Sequence, residues 1–134
     1  EIIQAGKDCV YAAESKQRYD CPNCDFACHV NPSNPAPEDK KAAIDALKLV
    51  NTKISSGQYD MIILDEINYA IDYGLVPVAD VMDMVKNKPA KLHLVLTGRN
   101  APPQLAATAD LVSEILEIKH PFQQGVKSVR GIDY

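Results

Sequence analysis

Four apolar residues in a row, Met61-Ile62-Ile63-Leu64, lead without a break into two carboxylates, Asp65 and Glu66. The run from Tyr59 is too short for a helix and has no polar alternation. It therefore predicts a strand buried on both faces, as in a parallel sheet. In open sheets of that kind ligands bind beyond the carboxyl ends of the strands, which is where Asp65 and Glu66 fall. Carboxylates placed there can hold a Mg²⁺, directly or through water, beside a nucleotide phosphate. The plainer alternative is an Asp that caps the next turn and a Glu that faces solvent.

The flanking pattern alternates strand with helix. Glu38 to Ser56 is the clearest helix: Pro37 suits its start, Glu38 and Asp39 suit the positive end of its dipole, and Gly57 suits its stop. Its apolar face runs through Ala43, Ala46, Leu47, Val50 and Ile54. After the central strand, residues 67–73 predict one or two helical turns ending at Gly74. Val76 to Asn87 predicts a second helix, with Val78, Val81, Met82 and Val85 on its buried side. Lys91 to Thr97 predicts a second buried strand, and Pro102-Pro103 opens a short helix. Further strands are expected at Ile115 to Lys119 and, as a short piece, at Glu1 to Gln4. The tail from His120 to Tyr134 has little periodicity. His93 and His120 carry weak signals, the first reading as structural. The sum is an α/β layer fold with a mostly parallel sheet. Its 134 residues suffice for one modest domain. The chain opens on Glu1 rather than Met, and an upstream part of the protein is expected.

Hydrophobic residues at 46% and charged residues at 24% are ordinary for a soluble domain, and the net charge of -4 argues against a nucleic-acid binder. No run approaches a membrane span and no signal peptide is visible, so a cytoplasmic location is expected.

Three constellations bear on chemistry. The two predicted strands would end side by side, one in Asp65-Glu66 and the other in Thr97-Gly98-Arg99. Gly98 permits a tight turn, and the Arg99 guanidinium matches phosphate oxygens. Acid beside base suits a Mg-triphosphate site; an Arg–carboxylate pair that only closes the sheet is the alternative. The second constellation lies in an irregular insert at about residues 18–37, which holds three cysteines and four prolines. Cys21-x2-Cys24 is a metal-knuckle spacing, and Cys28 and His29 follow it. Cys9 would complete a Cys₄ set, or His29 a Cys₃His set. Zn²⁺ fits such a loop best, with an iron–sulfur cluster or free thiols as alternatives. The third constellation is an absence: the sequence contains no G-x-x-x-x-G-K-[ST] phosphate loop. A strand of Walker-B shape without that loop is half of a nucleotide site.

From Tyr59 onward the chain resembles the bacterial ATP:corrinoid adenosyltransferases of the P-loop type. The resemblance is carried by Leu64-Asp65-Glu66-Ile67-Asn68-Tyr69-Ala70, by Thr97-Gly98-Arg99, and by the tail from Lys119-His120-Pro121-Phe122 to Gly131-Ile132-Asp133-Tyr134. It implies a P-loop NTPase-like (RecA-like) three-layer fold whose N-terminal P-loop strand and helix are missing here. This makes residues 1–134 a partial α/β domain, inactive alone. The implied activity is that of a cob(I)yrinic acid a,c-diamide or cob(I)alamin adenosyltransferase. The substrates would be Mg-ATP and a corrinoid, with triphosphate as the by-product. By residue match, Glu66 and Arg99 are the catalytic candidates, Asp65 and Glu66 would serve Mg²⁺, and Arg99 would hold phosphate. Tyr11, in Cys9-Val10-Tyr11, is the aromatic candidate for the lower face of the corrinoid. The resemblance also implies a homodimer and an electron-donor flavoprotein partner. Two rivals stand beside it: a non-catalytic nucleotide- or corrinoid-binding module, and a zinc-stabilised interaction domain.

Overall fold

The first long helix forms where its sequence signals converge. In the computed structural model, which describes residues 1–6 and 30–126, helix α1 spans Pro37–Ser56. Proline sits in its first turn, Glu38 and Asp39 face the helix N-terminus, and Gly57 ends it in the left-handed region at φ 67°. A side chain there would meet the Cβ clash that glycine avoids. Strand β1 (Met61–Leu64), helix α2 (Ile67–Asp72), helix α3 (Val78–Asn87), strand β2 (His93–Leu96) and helix α4 (Pro103–Thr108) follow in order. A 3₁₀ turn covers Pro121–Gln124.

The described residues fall in two units, 1–6 with 30–109 and 110–126. The first is the α/β unit. β1 and β2 pair in parallel, with Met61 opposite His93 and Leu64 opposite Leu96. The crossover between them carries α2 and α3, as a parallel pair requires.

Leu47 and Ile54 of α1, Val81 and Met84 of α3, Leu105 of α4, and Val76 and Leu92 from the connections form the buried core. Ile67, Ala70 and Ile71 of α2 pack against it, as do Ile62, Leu64, Leu94 and Leu96 of the sheet. All four helices therefore cover the same sheet face. Val81 is fully buried in this core.

Three sequence expectations are corrected. The strands are not buried on both faces: Met61 at 54%, Ile63 at 58% and Val95 at 37% relative exposure line the opposite face, with His93 exposed beside them. An apolar run supplies two apolar faces, and the helices occupy one. Residues 115–119 form no strand. Glu1 to Gln4 also form none. An apolar stretch becomes a strand only when a ladder partner takes its backbone groups, and neither stretch has one among the described residues. Instead the Glu1 carboxylate accepts from Lys53 Nζ and from the Tyr59 hydroxyl, both at 2.7 Å.

Candidate functional site at the strand ends

The parallel register brings the two strand ends together. Leu64 and Leu96 are partners, so Asp65 and Thr97 leave the sheet side by side. The Thr97 N–H donates to the Leu64 carbonyl at 3.2 Å. The Thr97 hydroxyl then donates to Asp65 Oδ1 at 2.7 Å and accepts from the Glu66 N–H at 3.0 Å. The Thr97 carbonyl accepts from the Asn68 N–H at 3.1 Å.

Glu66 sits in the left-handed region, with φ 58° and ψ 21°. Glutamate does not favour this conformation, which costs about 1–2 kcal/mol for a residue with a Cβ. Asn100 is the other non-glycine residue of positive φ among those described, and its Nδ2 donates to Asp72 Oδ2 at 2.9 Å. Both residues flank the same edge of the sheet. Strain gathered at one place and held by surrounding hydrogen bonds marks a functional candidate.

Gly98 explains how the two loops come so close. Its φ is 119°, and a Cβ built there would stand 3.1 Å from Asn68 Cβ, 3.2 Å from Glu66 Oε2 and 3.3 Å from Tyr69 N. Asn68 is buried behind this contact, with Nδ2 at 3.5 Å from the Gly98 carbonyl. Arg99 follows, exposed on the same loop, as Asp65 and Glu66 are exposed on theirs.

The edge thus presents two consecutive carboxylates and one guanidinium. The donor set fits a hard divalent cation. It is all oxygen, it is open to water, and Mg²⁺ is commonly held by one or two carboxylates plus substrate phosphates. A carboxylate has about four lone-pair sites, so the hydrogen bond from Thr97 leaves Asp65 capacity for a ligand. Among the described residues no cluster of three or more His, Cys, Asp or Glu side chains is poised for a metal. A groove of about 380 Å³ lies elsewhere, between α1 and α3, and none of these groups lines it.

The structure brings Asp65 and Glu66 to the loop that carries Arg99, where the sequence places them. Cys9, Tyr11, Cys21, Cys24, Cys28 and His29 lie outside the described residues. Thr97, Asn68, Asn100 and Asp72 also take part, and none of them had a role of its own in the sequence pattern. Asn100 had a signal, since asparagine enters the left-handed region more readily than most residues with a side chain. The hydroxyl of Thr97 had none, because its partners sit 31 and 32 positions away.

Paired carboxylates beyond the end of a parallel strand lie where ligands bind in open α/β sheets. Residues 8–134 match the family of ATP:corrinoid adenosyltransferases BtuR/CobO/CobP, and the chain belongs to that family. The corrinoid adenosyltransferase of Sinorhizobium sp is 48% identical over 75 residues, covering 55% of this chain and 35% of that protein. That of Escherichia coli K12 is 31% identical over 96 residues, covering 72% of this chain and 49% of its own length. The corrinoid adenosyltransferase CobA of Salmonella typhimurium is 37% identical over 75 residues, covering 56% and 38% respectively. The chain thus spans between about a third and a half of the length of these relatives. No described helix is long and apolar enough to cross a membrane.

Proposed function

We propose that the protein is a corrinoid adenosyltransferase. It would move the 5′-deoxyadenosyl group of ATP onto the Co(I) of a corrinoid and release triphosphate. The observation that carries this reading is the family match over residues 8–134, whose span contains the laced carboxylate edge at Asp65-Glu66.

The chemistry follows from the two substrates. The cobalt electron pair attacks the 5′ carbon, the bond from that carbon to the triphosphate oxygen breaks, and the triphosphate departs with the bonding electrons. The protein's task is to align the two substrates and to receive the leaving charge. Asp65 and Glu66 would hold Mg²⁺, which when bound neutralises phosphate oxygens. Arg99, on the neighbouring strand end, would grip a phosphate through its planar fork. Tyr11 is the candidate for contact with the lower corrinoid face.

In this reading the fold is of the P-loop NTPase type, with a third layer against the sheet face that carries Met61, Ile63, His93 and Val95. Support comes from the apolar character of that exposed face, since parallel sheets are ordinarily covered on both sides. The chain supplies the carboxylate and arginine half of the site, and turnover requires a phosphate-cradling loop that its 134 residues do not contain. A homodimer, an electron-donating flavoprotein and a Zn²⁺ held by Cys9, Cys21, Cys24, Cys28 or His29 belong to the same proposal.

The test is product formation. The protein expressed from its complete coding sequence is supplied with Mg-ATP and a reduced corrinoid. Adenosylated corrinoid and triphosphate should appear in equal amounts. Release of phosphate or pyrophosphate without adenosylation would overturn the assignment.

A further inference from the structure

We infer that Thr97 is the positioning residue that sets both carboxylates, acting through one hydroxyl oxygen. The inference rests on the proposed role of Asp65 and Glu66 as the Mg²⁺-nucleotide edge and adds to it the part that fixes their geometry.

A hydroxyl has one proton and two lone pairs. In Thr97 the proton is committed to Asp65 Oδ1 at 2.7 Å, and a lone pair takes the Glu66 N–H at 3.0 Å. One oxygen on β2's end therefore governs the side chain of one candidate ligand and the backbone of the next. The main chain of Thr97 adds bonds to Leu64 and Asn68, at 3.2 and 3.1 Å. Four positions between 64 and 68 thus lean on a single residue of the neighbouring strand.

The side-chain bonds do work that the backbone bonds cannot. Glu66 is held at φ 58°, a conformation its own Cβ opposes. The tether on its N–H is a force that keeps it there. Gly98, directly after Thr97, leaves room for the Glu66 carboxylate, with Glu66 Oε2 only 3.2 Å from where a Cβ would stand. Asp65, an exposed carboxylate on a loop, would otherwise sample several rotamers. Threonine suits the task better than serine, because β-branching restricts χ1 and presets the hydroxyl. Valine has nearly the same shape and lacks both side-chain bonds. It keeps the two backbone bonds, so the pair separates the hydroxyl's role from the strand's.

The experiment is a Mg²⁺ titration of ATP binding, followed by calorimetry, on the protein expressed from its complete coding sequence. Partners that orient a metal's ligands typically carry about ten- to hundredfold in metal affinity. Thr97→Val should raise the Mg²⁺ concentration for half-maximal ATP binding by at least about tenfold, within that range. Thr97→Ser should restore it to within about threefold, since the hydrogen bonds return and only the rotamer restriction is lost. Amide exchange at Glu66 should quicken in the Val variant and not in the Ser variant. If the Val variant does not fold, Thr97→Ala removes the same hydroxyl with less bulk and gives the same comparison. An unchanged Mg²⁺ dependence in the Val or Ala variant, alongside a shifted one in Asp65→Asn, would overturn the positioning role and leave the carboxylate edge standing. An unchanged dependence in both Asp65→Asn and Glu66→Gln would remove the carboxylate edge itself, and the role of Thr97 with it.

Discussion

The helix-covered face of the sheet and the edge at its strand ends are built by different means. The face is held by area. Leu47, Ile54, Val81 and Met84 bury apolar surface with no demand on direction, and burial of this kind tolerates small shifts. The edge is held by direction. It has Thr97 bonding to Asp65 and Glu66, Asn100 bonding to Asp72, and two left-handed non-glycine residues. The lesson is that damage to the face should appear as lost stability, and damage to the edge as lost function.

The face can be broken hardest. Met84→Ala or Leu47→Ala should each cost about 2–5 kcal/mol, by lost transfer energy and the cavity left behind. Chemical denaturation would read this as a lower midpoint with an unchanged slope. Activity per folded molecule should stay near that of the parent. A large loss of specific activity in the folded fraction would break the division between the two regions.

A smaller loss is expected where the two loops meet. Gly98→Ala puts a Cβ 3.1 Å from Asn68 Cβ at φ 119°, and such strain is worth about 1–3 kcal/mol. Here the loss of ATP binding should exceed what the fall in stability explains. Equal effects on both would make Gly98 a packing residue only.

Glu66→Gly sharpens the comparison by reversing the sign. Relief of the left-handed strain is worth about 1–2 kcal/mol, and the greater freedom of glycine in the unfolded chain takes back about 0.5–1 kcal/mol. Thermal stability should therefore hold or rise slightly while adenosylation is lost. A clear fall in stability would show that the Glu66 side chain supports the fold.

The smallest effect concerns pH and neither region directly. Lys53 and Tyr59 donate to the Glu1 carboxylate and hold it below its ordinary value of 4.5. A carboxylate depressed in the folded state stabilises above its unfolded value, and that contribution is lost as pH falls through the folded one. Lys53, raised above 10.5 chiefly by the same Glu1 bond, contributes below that value and loses the contribution in alkali. Lys53→Met should flatten the acid limb of the melting-temperature profile below about pH 4.5, by a small amount because the pair is partly exposed. An unchanged limb would show that this pair carries no stability.

These two modes of construction also explain what the sequence disclosed. Helices α1 and α3 were legible because apolar residues at three- and four-residue spacing, with Pro37 and Gly57 at the ends, speak locally. Strands β1 and β2 were legible as apolar runs, and so was the placement of Asp65 and Glu66 beyond one and Arg99 beyond the other. That the described helices cover only one sheet face was not legible, because Met61-Ile62-Ile63-Leu64 is equally apolar on both sides. Ile115 to Lys119 misled for a related reason: strand propensity does not supply a partner. The left-handed Glu66 had no sequence mark, since glutamate is not a residue chosen for that conformation. It becomes intelligible only when β2 delivers the Thr97 hydroxyl to its N–H.

The most direct measurement is the adenosylation rate of Glu66→Gln in the protein expressed from its complete coding sequence, compared with the parent at saturating Mg-ATP and reduced corrinoid. The substitution keeps size and removes charge. If the strand-end carboxylates are half of the Mg-nucleotide site, the rate should fall by about a hundredfold or more, because a ligand of the cation that would stabilise the leaving charge is lost, with the melting temperature unchanged. A folded Glu66→Gln protein that adenosylates corrinoid at the parental rate would contradict the account.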